Sequence, residues 1–256
     1  MTKKSSIIAA LEILMLSACH TPYHMSDISR TRLLIDNRYD ATPDATAAAF
    51  IIPYKQRVDS IMSPVVGHAA TYLEAKRPEG KLSNLMPDIL LWGSKKFGET
   101  PDFAVYNMGG IRAALAEGDV TYGDVINVAP FENKICFLTL TGEKVVELFS
   151  QMASRGGECV SHGVKMIITS EGKFVSATIN GKPIDPKAKY RIATLDYVAQ
   201  GNDQMVAFKD KTDEVSPQEY ENNVRFIIID YFREKESQGI AVDSPIEGRV
   251  TVKETP

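Results

Sequence analysis

The order of apolar and polar positions changes period several times along the chain, and each change predicts an element. Ala45–Met62 carries apolar residues at helical spacing behind a Thr42-Pro43-Asp44 start, with Pro53 expected to kink the helix or begin a new turn. Residues 63–73 alternate as an extended segment does, and residues 83–97 return to an amphipathic helical period. Phe103-Ala104-Val105-Tyr106 is a short, wholly apolar run that predicts a strand emptying into a glycine turn. After Asn133 the pattern predicts a strand to Leu140 and a turn at Thr141-Gly142. A helix from Glu143 to about Ala153 follows, broken by Gly156 and Gly157. Residues 164–170 and 174–179 are β-rich and split by Glu171-Gly172-Lys173, a hairpin signal; Asn180-Gly181 is a stronger one. A strand over 190–195, a helix from Ser216-Pro217 to about Lys235, and a last strand over 249–252 complete the domain, and residues 31–36 predict a first strand ahead of it. Helices and hairpins mix without a βαβ rhythm, so the fold class is α+β with largely antiparallel sheet.

Composition narrows the function more than the fold. The 256 residues are 44% hydrophobic, enough for one large domain with a real core. The net charge is −4 with both signs interspersed. No basic stripe stands out, which argues against a nucleic-acid partner. Lys3 and Lys4 precede an apolar run over 7–16, interrupted only by Glu12, in the layout of a secretory signal. The run ends in Leu16-Ser17-Ala18-Cys19, which resembles a bacterial lipoprotein box with Cys19 acylated. No later stretch approaches the roughly 18 apolar residues that span a bilayer, so the lipid would be the only membrane element. The expected organisation is a signal over 1–19, a tether and first strand over 20–40, and the folded domain over 41–256. The expected location is outside the cytoplasm, anchored by lipid and facing the periplasm or the surface. Cys136 and Cys159 remain; spacing leaves their pairing open, and Cys136 lies in an apolar run that suits a buried small hydrophobe.

The candidate chemistry gathers on loops. Asn107-Met108-Gly109-Gly110-Ile111-Arg112 puts glycines, which let a ligand approach the main chain, directly before a planar cationic fork. Pro130-Phe131-Glu132-Asn133 sets an aromatic in a second turn. An amide, an arginine and an aromatic brought together suit a flat, hydrogen-bonding ligand such as a nucleoside.

Taken in order, Asn-x-Gly-Gly-Ile-Arg, then Gly-Asp-Val-Thr-Tyr, then Pro-Phe-x-Asn resembles the C-terminal, nucleoside-holding domain of the 5'-nucleotidase family. The likeness extends over roughly residues 45–252. Asn84, Leu85 and Asp88 fit that family's Asn-Leu-x-x-Asp pattern, with Glu79 at its glutamate. Tyr197 through Asp203 fits its aromatic-x-Ala-x-Gly-Gly-Asp loop. Three positions depart from it. Met108 stands at the first glycine of the turn, Asn202 at the second glycine of the later loop, and Lys76, with Arg77 beside it, at a nucleotide-contacting arginine.

The resemblance implies layered mixed and antiparallel sheets flanked by helices. It implies a base held between Phe131 and Tyr197, and ribose hydroxyls on Asp203. Asn107, Gly109, Gly110, Arg112, Gly201, Asn202, Lys76 and Arg77 would complete the set. A separate N-terminal metallophosphoesterase domain holds the metals in that family, and two-metal hydrolysis needs a dense set of ligands. The four histidines, His20, His24, His68 and His162, fall in none of the family's Asp-x-His, Gly-Asn-His or Gly-His-x-His patterns. No cofactor is expected on this chain; a divalent metal pair is expected on a partner metallophosphoesterase. Whether the chain is an enzyme in its own right stays open. The expected function is a nucleotide-specificity unit acting in nucleotide salvage with that partner. The alternatives are a non-catalytic nucleoside-binding lipoprotein and a degenerate scaffold.

Overall fold

The computed structural model describes residues 25–39 and 44–254, so Cys19, the signal and the start of the tether lie outside the described residues. Contacts divide the chain into two units, residues 1–51 and 52–256. In the first, every side chain described is exposed, and residues 31–36 form no strand. Leu33, Leu34 and Ile35 are apolar and exposed, but among the described residues no neighbouring strand accepts their backbone groups, and a lone strand has no ladder to stabilise it. A 3-10 turn over Asn37–Tyr39 follows. Helix α1, Ala45–Met62, runs through Pro53 with none of its residues buried. No helix among the described residues is long and apolar enough to cross a membrane.

The second unit holds the core. Strand β1, Val65–Ala69, pairs antiparallel with β3, Gly118–Thr121. Helix α2, Lys81–Ser94, starts two residues earlier than its periodicity predicts and buries ten of its fourteen residues. It packs on β2, Phe103–Tyr106, whose four residues are all buried. Helix α3, Tyr122–Val128, opens on a reciprocal cap in which Thr121 Oγ1 accepts the Asp124 amide and Asp124 Oδ2 accepts the Thr121 amide. Strand β4, Ile135–Thr141, is followed by helix α4, Gly142–Ser154, capped by Thr141. The short β5, Cys159–Val160, leads to β6, Val164–Thr169, and β7, Phe174–Ile179, which pair as the predicted hairpin. Asn180 and Gly181 both have positive φ, the geometry of a two-residue hairpin turn, and deliver β8, Lys182–Pro183. Strand β9, Lys189–Leu195, runs into the single helical turn α5, Asp196–Ala199.

Beyond α5 the sequence-based expectation needs two corrections. Thr212–Val215 is a strand, β10, paired with β4. The final helix, α6, is Val224–Ser237 rather than a helix from residue 216. The intervening residues are drawn into pairing with the segment before β4: Val224 N–H donates to Asn133 O, and Asn223 bridges Lys134. Strand β11, Val250–Lys253, completes the chain beside β6.

Among the described residues three sheets result: β1-β3, the five-stranded β10-β4-β9-β2-β5, and the four-stranded β11-β6-β7-β8. The pairs β2–β9 and β6–β11 are parallel and the others antiparallel. Helix α4 contacts both larger sheets, and Phe149 on it meets Phe103 of β2 edge-on at 5.6 Å and Phe174 of β7 at 6.3 Å. This is the α+β layering of mixed and antiparallel sheets flanked by helices. Cys136 and Cys159 are both buried and free. Burial, with Glu214 adding to it, pushes the Cys136 thiol up to about 12, as befits a core residue.

Candidate functional site

Strand direction explains why three distant loops meet. Strands β2 and β9 are parallel, aligned Phe103 to Ile192, so Asn107 and Tyr197 follow them at the same end of the sheet. Strand β4 is antiparallel to β9 with Ile135 opposite Leu195, so the residues just before it, Phe131 to Asn133, lie at that end too. Asn107, Gly109, Phe131, Asn133, Tyr197 and Asp203 line one cleft of about 170 Å³. Five of the six were expected from sequence. Asn133 sits in the recognised Pro-Phe-x-Asn motif, but nothing in the sequence separated it from an ordinary turn residue.

The two aromatics are the most telling members. Phe131 is 48% exposed and Tyr197 40%, and neither ring stacks on the other or on any other described ring. Apolar faces left uncovered on opposite loops of one cleft are what a flat ligand would cover. Arg225 Nη2 donates to Pro130 O at 2.9 Å and fixes the Phe131 turn against α6.

On the opposite wall, Asn107 Nδ2 donates to Asp203 Oδ2 at 2.6 Å. This charge-assisted bond leaves Asn107 Oδ1 buried and unpartnered on the side of Gly110. Asp203 reaches this position through a strained turn, with φ of 53° at Asp203 and 63° at Gln204. Two successive non-glycine residues in the left-handed region are costly and occur where the surroundings impose them. Gly201, at φ 83°, opens that turn. Asn202 departs from the family's glycine by stapling the turn: its Nδ2 donates to Tyr197 O at 2.8 Å.

Not every expected residue reaches the cleft. Gly110 is packed behind it, and Gly201 and Asn202 shape the Asp203 turn without lining the space. Arg112 bonds Val128 O through its backbone, while its exposed side chain has no hydrogen bond or ion pair among the described residues. Lys76 and Arg77 line a different depression, of about 440 Å³, with Tyr72, Pro78 and Ile246. Arg77 is committed elsewhere: its Nε donates to Gly157 O at 2.7 Å and its Nη2 pairs with Glu158. The Asn-Leu-x-x-Asp pattern anchors a buried cation. Arg249, 2% exposed, is gripped by Asp88 through two bonds of 2.7 and 2.8 Å, and Asn84 and Val160 carbonyls accept from it as well.

Among the described residues, no group of three or more His, Cys, Asp and Glu side chains is arranged to hold a metal ion. His68 bridges Asp119 and Glu236 on the β1–β3 side, and His162 pairs with Glu247.

A single-ended cleft built from these loops on this sheet defines a ligand-binding domain of the nucleotidase type. The chain belongs to the family described as 5'-nucleotidase, C-terminal domain, whose model matches residues 65–210. Protein UshA of Yersinia enterocolitica is 29% identical over 163 residues, 62% of this chain and 30% of its own length. Endonuclease YhcR of Bacillus subtilis is 30% identical over 195 residues, 72% of this chain and 16% of its own. Of solved structures, the 5'-nucleotidase precursor from Thermus thermophilus superposes with a TM-score of 0.71 at 25% identity, covering 85% of this chain and 45% of its own. The chain therefore spans less than half the length of these relatives.

Proposed function

We propose that the cleft binds the nucleoside part of a nucleotide and that the chain is the specificity unit of a 5'-nucleotidase-type hydrolase. One observation carries this reading: two exposed aromatics, the Asn107 side chain and a carboxylate converge on a cleft of base size. A base would lie between Phe131 and Tyr197, where stacking is worth about 1–3 kcal/mol per base and tolerates different bases. Its sugar hydroxyls would donate to Asp203, whose carboxylate Asn107 Nδ2 holds in place. Gly109 leaves room for the ligand against the main chain, and Arg112 supplies an uncommitted cation next to it.

The hydrolytic step is assigned to a separate metallophosphoesterase chain carrying a divalent metal pair. In that arrangement the cleft contributes orientation, and binding energy from the nucleoside raises turnover at the phosphate held by the partner. The Cys19 box supports a location outside the cytoplasm for both, with this chain held by a lipid anchor. Substituting Cys19→Ala would release the protein from the membrane fraction; a variant that stayed there through salt washing would refute the anchor.

Calorimetry with adenosine and AMP tests the cleft directly, and absence of binding at millimolar concentration would overturn it. Phosphate release from AMP with manganese or zinc, for each protein alone and for the mixture, tests the division of labour. Hydrolysis should rise on mixing. Sustained turnover by this chain alone would refute the split, and unchanged partner activity would favour a binding protein with no catalytic role.

A further inference from the structure

Behind the Asn107–Gly109 wall lies a charge cluster that no sequence motif singles out. The Glu158 side chain is fully buried, an expensive position for a carboxylate unless its oxygens are well matched. Its Oε2 accepts the Met108 backbone N–H at 2.6 Å, within the very turn that lines the cleft. Its Oε1 is shared by two guanidinium groups, Arg77 Nη2 and Arg155 Nε, the latter at 2.8 Å. One carboxylate thus serves two arginines, so neither guanidinium has a carboxylate partner to itself within the cluster.

The two arginines are used differently. Arg77 commits its Nε to Gly157 O and its Nη2 to Glu158, which makes it an anchor. Arg155, the residue that closes α4, is held by its Nε alone, and its two terminal nitrogens have no hydrogen-bond partner among the described residues. Its side chain is 23% exposed, so those donors reach the surface. Its charged form is favoured chiefly by the hydrogen bond to Glu158, against the effect of burial. Further support comes from the fields of Asp203 and Tyr197, both of which line the cleft. A guanidinium fixed at one nitrogen, joined through Glu158 to the Met108 amide of the cleft turn and with a fork of free donors, is suited to bidentate recognition of an oxyanion.

We propose that Arg155, held by Glu158, is a specificity-determining residue that reads the phosphate of a bound nucleotide and sets the preference for nucleotide over nucleoside. This rests on the cleft being the nucleoside site. Glu158 is then a positioning residue: it fixes both the Met108 amide and the guanidinium that flank the ligand.

The test measures adenosine and AMP affinities by calorimetry for the full chain, Arg155→Gln, Arg155→Lys and Arg77→Gln, with thermal melts to verify folding. Arg155→Gln should weaken AMP binding at least about tenfold more than adenosine binding, the scale of one lost charge-assisted contact. Arg155→Lys, which keeps the charge and loses the fork, should recover part of that selectivity. Arg77→Gln loosens the anchor and should weaken both ligands by a similar factor. Equal losses for the two ligands in Arg155→Gln, or no change in either, would overturn the assignment while leaving the cleft intact. Failure of the unsubstituted chain to bind either ligand would instead remove the cleft reading, and this inference with it.

Discussion

Replacing Gly110 by alanine separates the cleft from the fold behind it. Gly110 has an ordinary φ, so alanine can adopt its backbone; what changes is contact. A β-carbon there would lie 2.7 Å from Asn107 Oδ1 and 2.9 Å from Tyr106 Cε1. Tyr106 is buried in β2 at 2% exposure and has nowhere to move, whereas Asn107 is held in place mainly through its bond to Asp203. The asparagine should therefore yield, and its bond to a charged acceptor is worth about 1.5–3 kcal/mol. Adenosine affinity should fall by a similar amount, roughly ten- to a hundredfold. Gly109 lines the cleft itself, and a β-carbon there would lie 3.3 Å from Asp203 Oδ2 and 3.8 Å from Asn107 Nδ2. Gly109→Ala intrudes on the ligand's own space and should weaken adenosine binding as well, without displacing Asn107. Calorimetry measures both affinities, and urea unfolding checks that both variants stay folded. A Gly110→Ala protein that binds like the parent would refute the steric account.

Other parts of the molecule can be tested in the same way. Phe131→Ala should weaken adenosine binding by about 1–3 kcal/mol with little change in stability, since the ring is half exposed; equal binding would exclude it from the stack. Asp88→Ala should destabilise the fold by about 3 kcal/mol in urea unfolding because it strips a buried guanidinium of its main partner, and adding Arg249→Met should recover part of that loss. A double variant no more stable than the single one would show that packing, not charge, sets the cost. His68 has its pKa raised above 6.5 by its hydrogen bond to Glu236, with Asp119 contributing. Its contribution to stability is therefore full below about pH 6.5 and is lost as pH rises through the higher folded value, so the melting-temperature gap between parent and His68→Gln should narrow toward pH 9.

What the sequence made legible was set by how local each signal is. The apolar runs of β2, β4 and β9 and the Asn180-Gly181 turn declare themselves within a few residues. The cleft was legible because its residues sit in short motifs. Strand β10 was not, since Thr-Asp-Glu-Val has all four side chains exposed and exists only because β4 offers an edge. The helix expected from residue 216 failed for the same reason, its first turns being captured by Asn133 and Lys134. The buried charges were the least visible. Arg249 meets Asp88 across 161 residues and Arg77 meets Glu158 across 81, and no spacing rule foretells that a surface-type residue has a distant counter-ion. Lys76 and Arg77 show the converse: a motif position carries the expected charge but the chain leads it to another depression.

The meeting of three loops at one end of the β4-β9-β2 sheet also dictates when the cleft can exist. Asn107 and Asp203 lie 96 residues apart, and the strands that align them include the parallel pair β2–β9, which closes only after a long crossover. No shorter segment contains both walls, and no local opening of β9 can leave the ligand in place. Occupancy is thus coupled to global unfolding: a ligand at a hundred times its dissociation constant would stabilise the whole domain by about 2.7 kcal/mol. During synthesis the same geometry withholds the cleft until the chain beyond Asp203 has emerged and β9 has docked, so the proposed nucleotide site is absent from an incomplete protein.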